Sequence, residues 1–144
     1  MLRRYFCDVT GSVRRAIQSA LRAAQSSTEH ACTEALAHMR FLHYEEVGGE
    51  LAPHIDLART DSAGKRSTHT FLLYLADCAT GGETVLLNDL NAYKLRADES
   101  GRTANVIAAV KPKRGRLLIF PHICPHAGVA VVEVPKVLLR GELY

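Results

Sequence analysis

Short apolar runs alternate with turn residues from about Met39 to the C-terminus, a pattern that predicts a series of β-strands. Glycine pairs at 48–49 and 81–82, single glycines at 101 and 115, and Pro135 separate the runs. Several short strands with regular turn signals are typical of an antiparallel sandwich or barrel. The predicted strands are 41–44, 71–75, 84–87, 106–110, 116–120, 129–132 and 137–140.

The first third of the chain has a helical pattern instead. Apolar residues recur at helical spacing after Thr10-Gly11-Ser12, which is a candidate cap. A second short helix is expected to begin near Thr28 and to include Ala35. The polar stretch 88–102 is expected to be a loop. The helical positions of the first segment are Val13, Ile17, Ala20, Leu21 and Ala24.

Length, composition and charge exclude several classes of protein. The chain has 144 residues, with 47% hydrophobic and 23% charged residues, which is enough apolar material for one globular domain. No apolar stretch approaches the roughly 20 residues that span a bilayer, so a membrane-spanning protein is not expected. The formal net charge is +3, and the basic residues at 65–66 and 111–116 lie in predicted turns. Nucleic-acid binding is therefore disfavoured.

The four cysteines, Cys7, Cys32, Cys78 and Cys124, form no CxxC pair, so a structural zinc site has little support. We expect free, buried thiols, as in a reducing compartment. The N-terminal residues carry charge without a following apolar run, unlike a signal peptide. These observations favour a cytoplasmic location.

Candidate metal ligands lie in two segments. On a strand, His54 and Asp56 of His54-Ile55-Asp56 would point to one face and supply two ligands of a facial metal triad. The third could be His122 or His126, which both follow the apolar run 116–120. A mixed set of histidine and carboxylate ligands favours iron(II) or manganese over a closed zinc site.

Lys136 is a candidate anion-binding residue. It stands ten residues after His126 and can lie on the same inner face if the chain runs out and back. A buried ammonium is costly without an anion to neutralise it, and a small dicarboxylate substrate would do so. The alternative is a solvent-exposed lysine after Pro135.

The order of these features resembles the 2-oxoglutarate- and iron(II)-dependent dioxygenases, and within them the catalytic domain of the prolyl 4-hydroxylases. The resemblance covers residues 38–144. It is carried by Tyr44, Gly49, His54-x-Asp56, Leu73-Tyr74-Leu75, Gly81-Gly82-Glu83-Thr84, Pro112, Gly115-x-Leu117-Leu118-Ile119-Phe120, His126-x-Gly128, Lys136 and Leu139-Arg140.

The resemblance implies a mainly β fold, a double-stranded β-helix or jelly roll, with short N-terminal helices packed on the sheet. It divides the chain into a helical support, 1–37, and a dioxygenase domain, 38–144. It implies further that Fe(2+) is bound by His54, Asp56 and His126, with His122 as a spectator.

The resemblance also implies the co-substrates, 2-oxoglutarate and O2, with L-ascorbate as a further candidate cofactor. Lys136 would pair with the far carboxylate of 2-oxoglutarate, and Tyr44 and Tyr74 would line its pocket. The implied reaction hydroxylates a prime substrate, with a prolyl residue of a protein or peptide as the leading candidate, and converts 2-oxoglutarate to succinate and CO2.

Two other functions are weighed against this one. A nucleic-acid demethylase of the same superfamily would carry paired arginines near the C-terminus, where this chain has Lys136 and Arg140. A truncated, non-catalytic jelly-roll binding module would keep the residues without turnover. The prime substrate and the oligomeric state are left open, and the segments 57–69 and 88–104 are the expected substrate-selecting loops.

Overall fold

The computed structural model describes residues 1–24, 34–90 and 106–144, which form nine strands and one helix. The helix and strands that these ranges contain are β1 (Leu2–Cys7), α1 (Ser12–Ala24), β2 (His38–Tyr44), β3 (Leu51–His54), β4 (His69–Tyr74), β5 (Thr84–Leu87), β6 (Val106–Val110), β7 (Leu117–Pro121), β8 (His126–Gly128) and β9 (Lys136–Leu143).

The strands form two antiparallel sheets, as expected for a jelly roll. The larger sheet has the order β1-β2-β9-β4-β7, and the smaller has the order β3-β8-β5-β6. Apart from β1–β2 and β5–β6, neighbouring strands are not consecutive in the chain, so the chain crosses repeatedly between the sheets. The predicted fold class, a mainly β jelly roll, is confirmed, and of the expected N-terminal helices the described residues contain α1.

Strand β9 shows how the larger sheet is buried on both faces. Because side chains alternate along a strand, Leu139 and Leu143 face the helix side, where they pack with Ile17 and Leu21 of α1. Leu138 faces the other way, into the core that includes Tyr74, Phe120 and Val131. In phase with Leu138 are Lys136, Arg140 and Glu142, all buried. These polar residues therefore point into the space between the sheets.

The observed strands differ from the predicted ones in three places. The short β3 (Leu51–His54) was not among the predicted strands, and the other two differences have physical reasons. Strand β1 was not predicted, because it lies at the sheet edge and pairs along its length with β2, so most of its side chains are exposed and no apolar alternation marks it. The predicted strand 129–132 is wrong: β8 covers His126–Gly128, and beyond it Val131 makes an isolated bridge to Gly81. Val131 is fully buried, so its hydrophobicity reflects core packing.

Some predictions fall outside the described residues. Most of the predicted second helix falls on 25–33, outside the described residues, but Ala35, which it was expected to include, forms an isolated bridge to Leu143 and is not helical. Most of the loop 88–102 and Cys32 also lie outside. The three described cysteines are free, as predicted, but only Cys78 is buried; Cys7 is exposed. In the described part of the chain, no helix has the length and hydrophobicity needed to cross a membrane.

Candidate metal centre and co-substrate pocket

The pairing of β3 with β8 brings two of the predicted ligands together. His54, the last residue of β3, stands directly opposite His126, the first residue of β8, and their ring centroids are 4.2 Å apart. Asp56 follows two residues after His54, beyond the end of the strand. Its Oδ2 lies 3.6 Å from His126 Nε2, and its Oδ1 lies 3.9 Å from His54 Nε2. These distances are too long for hydrogen bonds.

Hydrogen bonds to the backbone fix which ring nitrogens are free. His54 Nδ1 lies 2.8 Å from the carbonyl oxygen of Ala52, and His126 Nδ1 lies 3.0 Å from that of Cys124. A carbonyl can only accept, so both Nδ1 atoms carry the proton and both Nε2 lone pairs are free. Burial lowers the pKa of His126, which favours the neutral ring that a metal requires.

The resulting set of donors suits a divalent iron ion. One ligand atom from each of His54, Asp56 and His126 lies within 4.8 Å of the others, and no other such cluster of histidine, cysteine and acidic residues occurs in the described ranges. Two imidazole nitrogens and one carboxylate oxygen are the donor set of non-haem iron(II) oxygenase centres. Backbone acceptors on both rings are the outer contacts that usually orient metal-binding histidines.

The carboxylate of Asp56 is held from both sides. The Thr70 hydroxyl donates to Oδ2 at 2.6 Å, and Arg140 Nη2 donates to Oδ1 at 2.7 Å. Arg140 also contacts Glu142 Oε1 through Nη1, at 2.6 Å. The guanidinium thus bridges two buried carboxylates. Burial still raises the pKa of Glu142, and the nearby Arg40 and Arg59 offset part of this effect.

A cavity extends from the two histidines to Lys136. His54, His126 and Lys136 all line it, together with Tyr44 and Arg140. Lys136 is 2% exposed, and no carboxylate of the described residues lies within salt-bridge distance of its ammonium. The further lining residues are Leu42, Leu51, Leu72, Thr84, Ala127, Gly128 and Leu138.

Lys136 is an ammonium held in apolar surroundings. Desolvation lowers its pKa to about 8, and the nearby Cys78 and Glu83 offset part of this effect. Its Nζ lies 4.9 Å from the centre of the Tyr44 ring. Tyr44 is the residue of β2 that stands opposite Lys136 in the β2–β9 pairing. The exposed-lysine alternative is therefore wrong: Lys136 pairs with Tyr44 of β2 and is buried.

The two tyrosines predicted for the co-substrate pocket occupy different places. Tyr44 lines the cavity, and burial raises the pKa of its hydroxyl. Tyr74 is fully buried and donates from its hydroxyl to Thr84 Oγ1 at 2.7 Å. Thr84 lines the cavity, whereas Tyr74 does not line it and contacts it only through this hydrogen bond to Thr84. Burial raises the pKa of Tyr74 to about 12, which keeps it protonated.

His122, the alternative ligand, is not one of the clustered donors. Its two ring nitrogens already have partners, because Nδ1 lies 2.9 Å from Thr70 Oγ1 and Nε2 lies 2.8 Å from Ser67 Oγ. The residue is buried, and desolvation lowers the pKa of its ring.

The sequence reasoning missed the residues that surround Asp56. Thr70, Arg140 and Glu142 have no motif of their own. One signal was available for the last two: they are in phase with Lys136 on a strand, so an inward Lys136 implies that they point inward as well. Thr70 faces Glu142 across the β4–β9 ladder, which is visible only once the pairing is known.

Comparison with known proteins agrees with this geometry. Residues 39–141 match the model of the 2OG-Fe(II) oxygenase superfamily. Over 94 residues the chain is 36% identical to probable prolyl 4-hydroxylase 7 of Arabidopsis thaliana, covering 62% of this chain and 29% of that protein. Over 116 residues it is 32% identical to probable prolyl 4-hydroxylase 10 of the same plant, covering 68% of this chain and 38% of that protein.

A solved structure shares the fold. The chain superposes on the crystal structure of a Pseudomonas putida prolyl-4-hydroxylase with a TM-score of 0.63 at 17% identity, covering 98% of this chain and 70% of the other. The chain spans about a third of the length of the curated relatives it matches. The predicted resemblance is confirmed by the family match over most of the sequence: this chain belongs to the 2OG-Fe(II) oxygenase superfamily.

Proposed function

We propose that this chain is an iron(II)- and 2-oxoglutarate-dependent dioxygenase that hydroxylates prolyl residues of a protein or peptide. The observation that carries the proposal is one cavity lined by His54 and His126 and also by the buried, uncompensated ammonium of Lys136. A metal centre and an anion site that share a cavity suit a co-substrate with a metal-chelating end and a distant carboxylate.

In this proposal His54, Asp56 and His126 hold the iron. The Nδ1 protons of both histidines stay on the backbone carbonyls of Ala52 and Cys124, so that the Nε2 lone pairs remain directed at the ion. When bound, iron(II) and 2-oxoglutarate together supply the activation of O2, with succinate and CO2 as co-products.

Lys136 binds the far carboxylate of 2-oxoglutarate in the proposed enzyme. The ammonium sits in a low-dielectric setting, where a charge-assisted hydrogen bond is stronger than in water. The Tyr44 ring makes a cation–π contact with the Lys136 ammonium. Leu72 and Leu138, on the cavity wall, exclude water from this pair.

The proposal also assigns different roles to the two parts of the chain. Residues 38–144 carry the site, and residues 1–37 support the sheet that presents Lys136. Two observations favour this division: β1 extends the sheet beyond β2, and α1 packs its Ile17 and Leu21 against the helix-facing side of β9.

Prolyl hydroxylation is favoured by the names of the relatives, which are probable prolyl 4-hydroxylases. The test is to incubate the purified chain with iron(II), 2-oxoglutarate and ascorbate, with and without proline-rich peptides. We expect peptide-stimulated succinate formation and hydroxylated proline by mass spectrometry. Omitting ascorbate tests its proposed role as a cofactor.

Two results would point elsewhere. Succinate formation that peptides fail to stimulate would redirect the search to other prime substrates. A folded chain that binds iron but forms no succinate would support the non-catalytic jelly-roll module.

A further inference from the structure

We propose that His122 is a positioning residue for Asp56: its ring fixes Thr70, whose hydroxyl holds one oxygen of the Asp56 carboxylate. This inference rests on the proposed role of Asp56 as a metal ligand. It gives a task to a histidine that the sequence offered as an alternative ligand.

The hydrogen bonds around His122 have a defined direction. The Asp56 carboxylate can only accept, so Thr70 uses its one hydroxyl proton to donate to Oδ2. The Thr70 oxygen must then accept from His122 Nδ1. In a neutral ring this leaves Nε2 as the acceptor for the Ser67 hydroxyl. The Ser67 oxygen in turn accepts from the backbone N–H of Arg59 at 2.8 Å.

All three side chains of this hydrogen-bond network are buried. Ser67, Thr70 and His122 are exposed by 2%, 0% and 4%. Water cannot readily replace a missing member, so removing one leaves the next without its partner, which is costly in a buried site. A fully satisfied network of this kind holds its members in one arrangement.

His122 contacts Asp56 by a second route, through the main chain. The backbone N–H of Asp56 donates to the carbonyl oxygen of His122 at 3.0 Å. This bond survives any substitution at position 122. A variant of the His122 side chain therefore tests the route through Thr70 while the backbone contact stays in place.

Thr70 and Arg140 contact different oxygens of the Asp56 carboxylate, so the two contacts have different effects on its orientation. Arg140 draws Oδ1 toward Glu142, whereas Thr70 fixes Oδ2 on the side that faces His126 Nε2. Without Thr70, only the Arg140 contact would orient the carboxylate. We infer that Oδ2 then leaves the position from which it faces His126.

The experiment measures the affinity of the purified chain for Mn2+, without co-substrates, by following the free ion in an electron paramagnetic resonance titration. Thr70→Val removes the hydroxyl at nearly constant shape, Thr70→Ser keeps it, and His122→Leu removes the ring donor. His43→Leu is the matched control, because His43 lies on β2 and pairs with Glu45 near the surface. The unfolding free energy of each variant is measured in parallel.

We expect Thr70→Val and His122→Leu to weaken Mn2+ binding by about 10- to 100-fold, the usual effect of losing an outer contact to a metal ligand. Thr70→Ser and His43→Leu should bind as the wild type does. Since His122 acts through Thr70, the double variant should bind no more weakly than Thr70→Val alone.

Other outcomes overturn the proposal in distinguishable ways. Wild-type affinity in Thr70→Val would show that the hydroxyl does not position Asp56. Additive losses in the double variant would show that His122 acts independently of Thr70. Binding abolished in His122→Leu but retained in His126→Ala would make His122 the ligand. Wild-type Mn2+ affinity in Asp56→Ala would overturn the proposed metal site itself, and this inference with it.

Discussion

Replacing Lys136 by methionine should stabilise the folded chain while it weakens 2-oxoglutarate binding. Methionine keeps much of the length and apolar character of the lysine stem but has no charge to desolvate. Lowering the pKa of Lys136 from 10.5 to about 8 corresponds to about 3 kcal/mol, at about 1.4 kcal/mol per pKa unit. We therefore expect Lys136→Met to raise the free energy of unfolding by about 3 kcal/mol at pH 7.

The pH dependence of this difference has a defined sign. Below pH 8 the lysine is charged in both the folded and the unfolded chain, so the folded state bears the whole cost. Between about pH 8 and about pH 10.4 the unfolded chain binds more protons than the folded chain, so wild-type stability rises relative to the variant. The advantage of Lys136→Met should thus fade across this window.

Urea unfolding at several pH values measures the stability arm, with Lys65→Met as the control. Lys65 is a partly exposed lysine that pairs with Glu34, and its loss should change stability by less than about 1 kcal/mol at any pH. A Lys136→Met chain that is no more stable than wild type at pH 7, or an advantage that is independent of pH, would refute the reasoning.

Ligand-induced stabilisation measures the functional arm. With Mn2+ present, 2-oxoglutarate should stabilise the wild type and the Lys65→Met control. Removing one partner of a buried charge pair costs about 2–5 kcal/mol, so Lys136→Met should weaken 2-oxoglutarate binding by at least about 30-fold. Equal stabilisation of wild type and Lys136→Met would place the co-substrate elsewhere.

Two further substitutions test the packing and the charge network. Gly141→Ala should strongly destabilise the chain, because a Cβ at this position would lie 2.4 Å from Phe71 Cε1; near-wild-type urea unfolding would contradict the close packing of β9 against β4. Arg140→Met should lower the free energy of unfolding by about 3–5 kcal/mol, since it leaves the buried Asp56 carboxylate without its arginine partner, whereas Glu142 keeps Arg40 at 3.1 Å. A loss below about 1 kcal/mol, the value of an exposed ion pair, would show that this network is solvated.

The sequence predicted the parts of the site that have a motif. His54-x-Asp56 is recognisable because both ligands lie two residues apart, and His126 could be preferred over His122 only through the family resemblance. The strands with strong apolar runs were predicted near their observed positions. The pairing of β3 with β8, which sets His54 opposite His126, depends on contacts between distant segments and has no local pattern.

The remaining features were hidden because they depend on partners. The exposed edge strand β1 is stabilised by pairing with β2, so its own residues show little hydrophobic alternation. The hydrogen bonds that link Asp56 to Thr70 and Thr70 to His122 join three segments that only the fold brings together. Burial of Lys136 was left open by the sequence, because the residue that precedes it, Pro135, is equally compatible with an exposed turn.

The most direct test of the central claim is succinate formation from 2-oxoglutarate by the purified chain at saturating iron(II), comparing single alanine variants. We predict turnover by the wild type that is abolished in His54→Ala, Asp56→Ala and His126→Ala and retained in His122→Ala. Turnover that survives in His126→Ala and disappears in His122→Ala would contradict the metal centre described here.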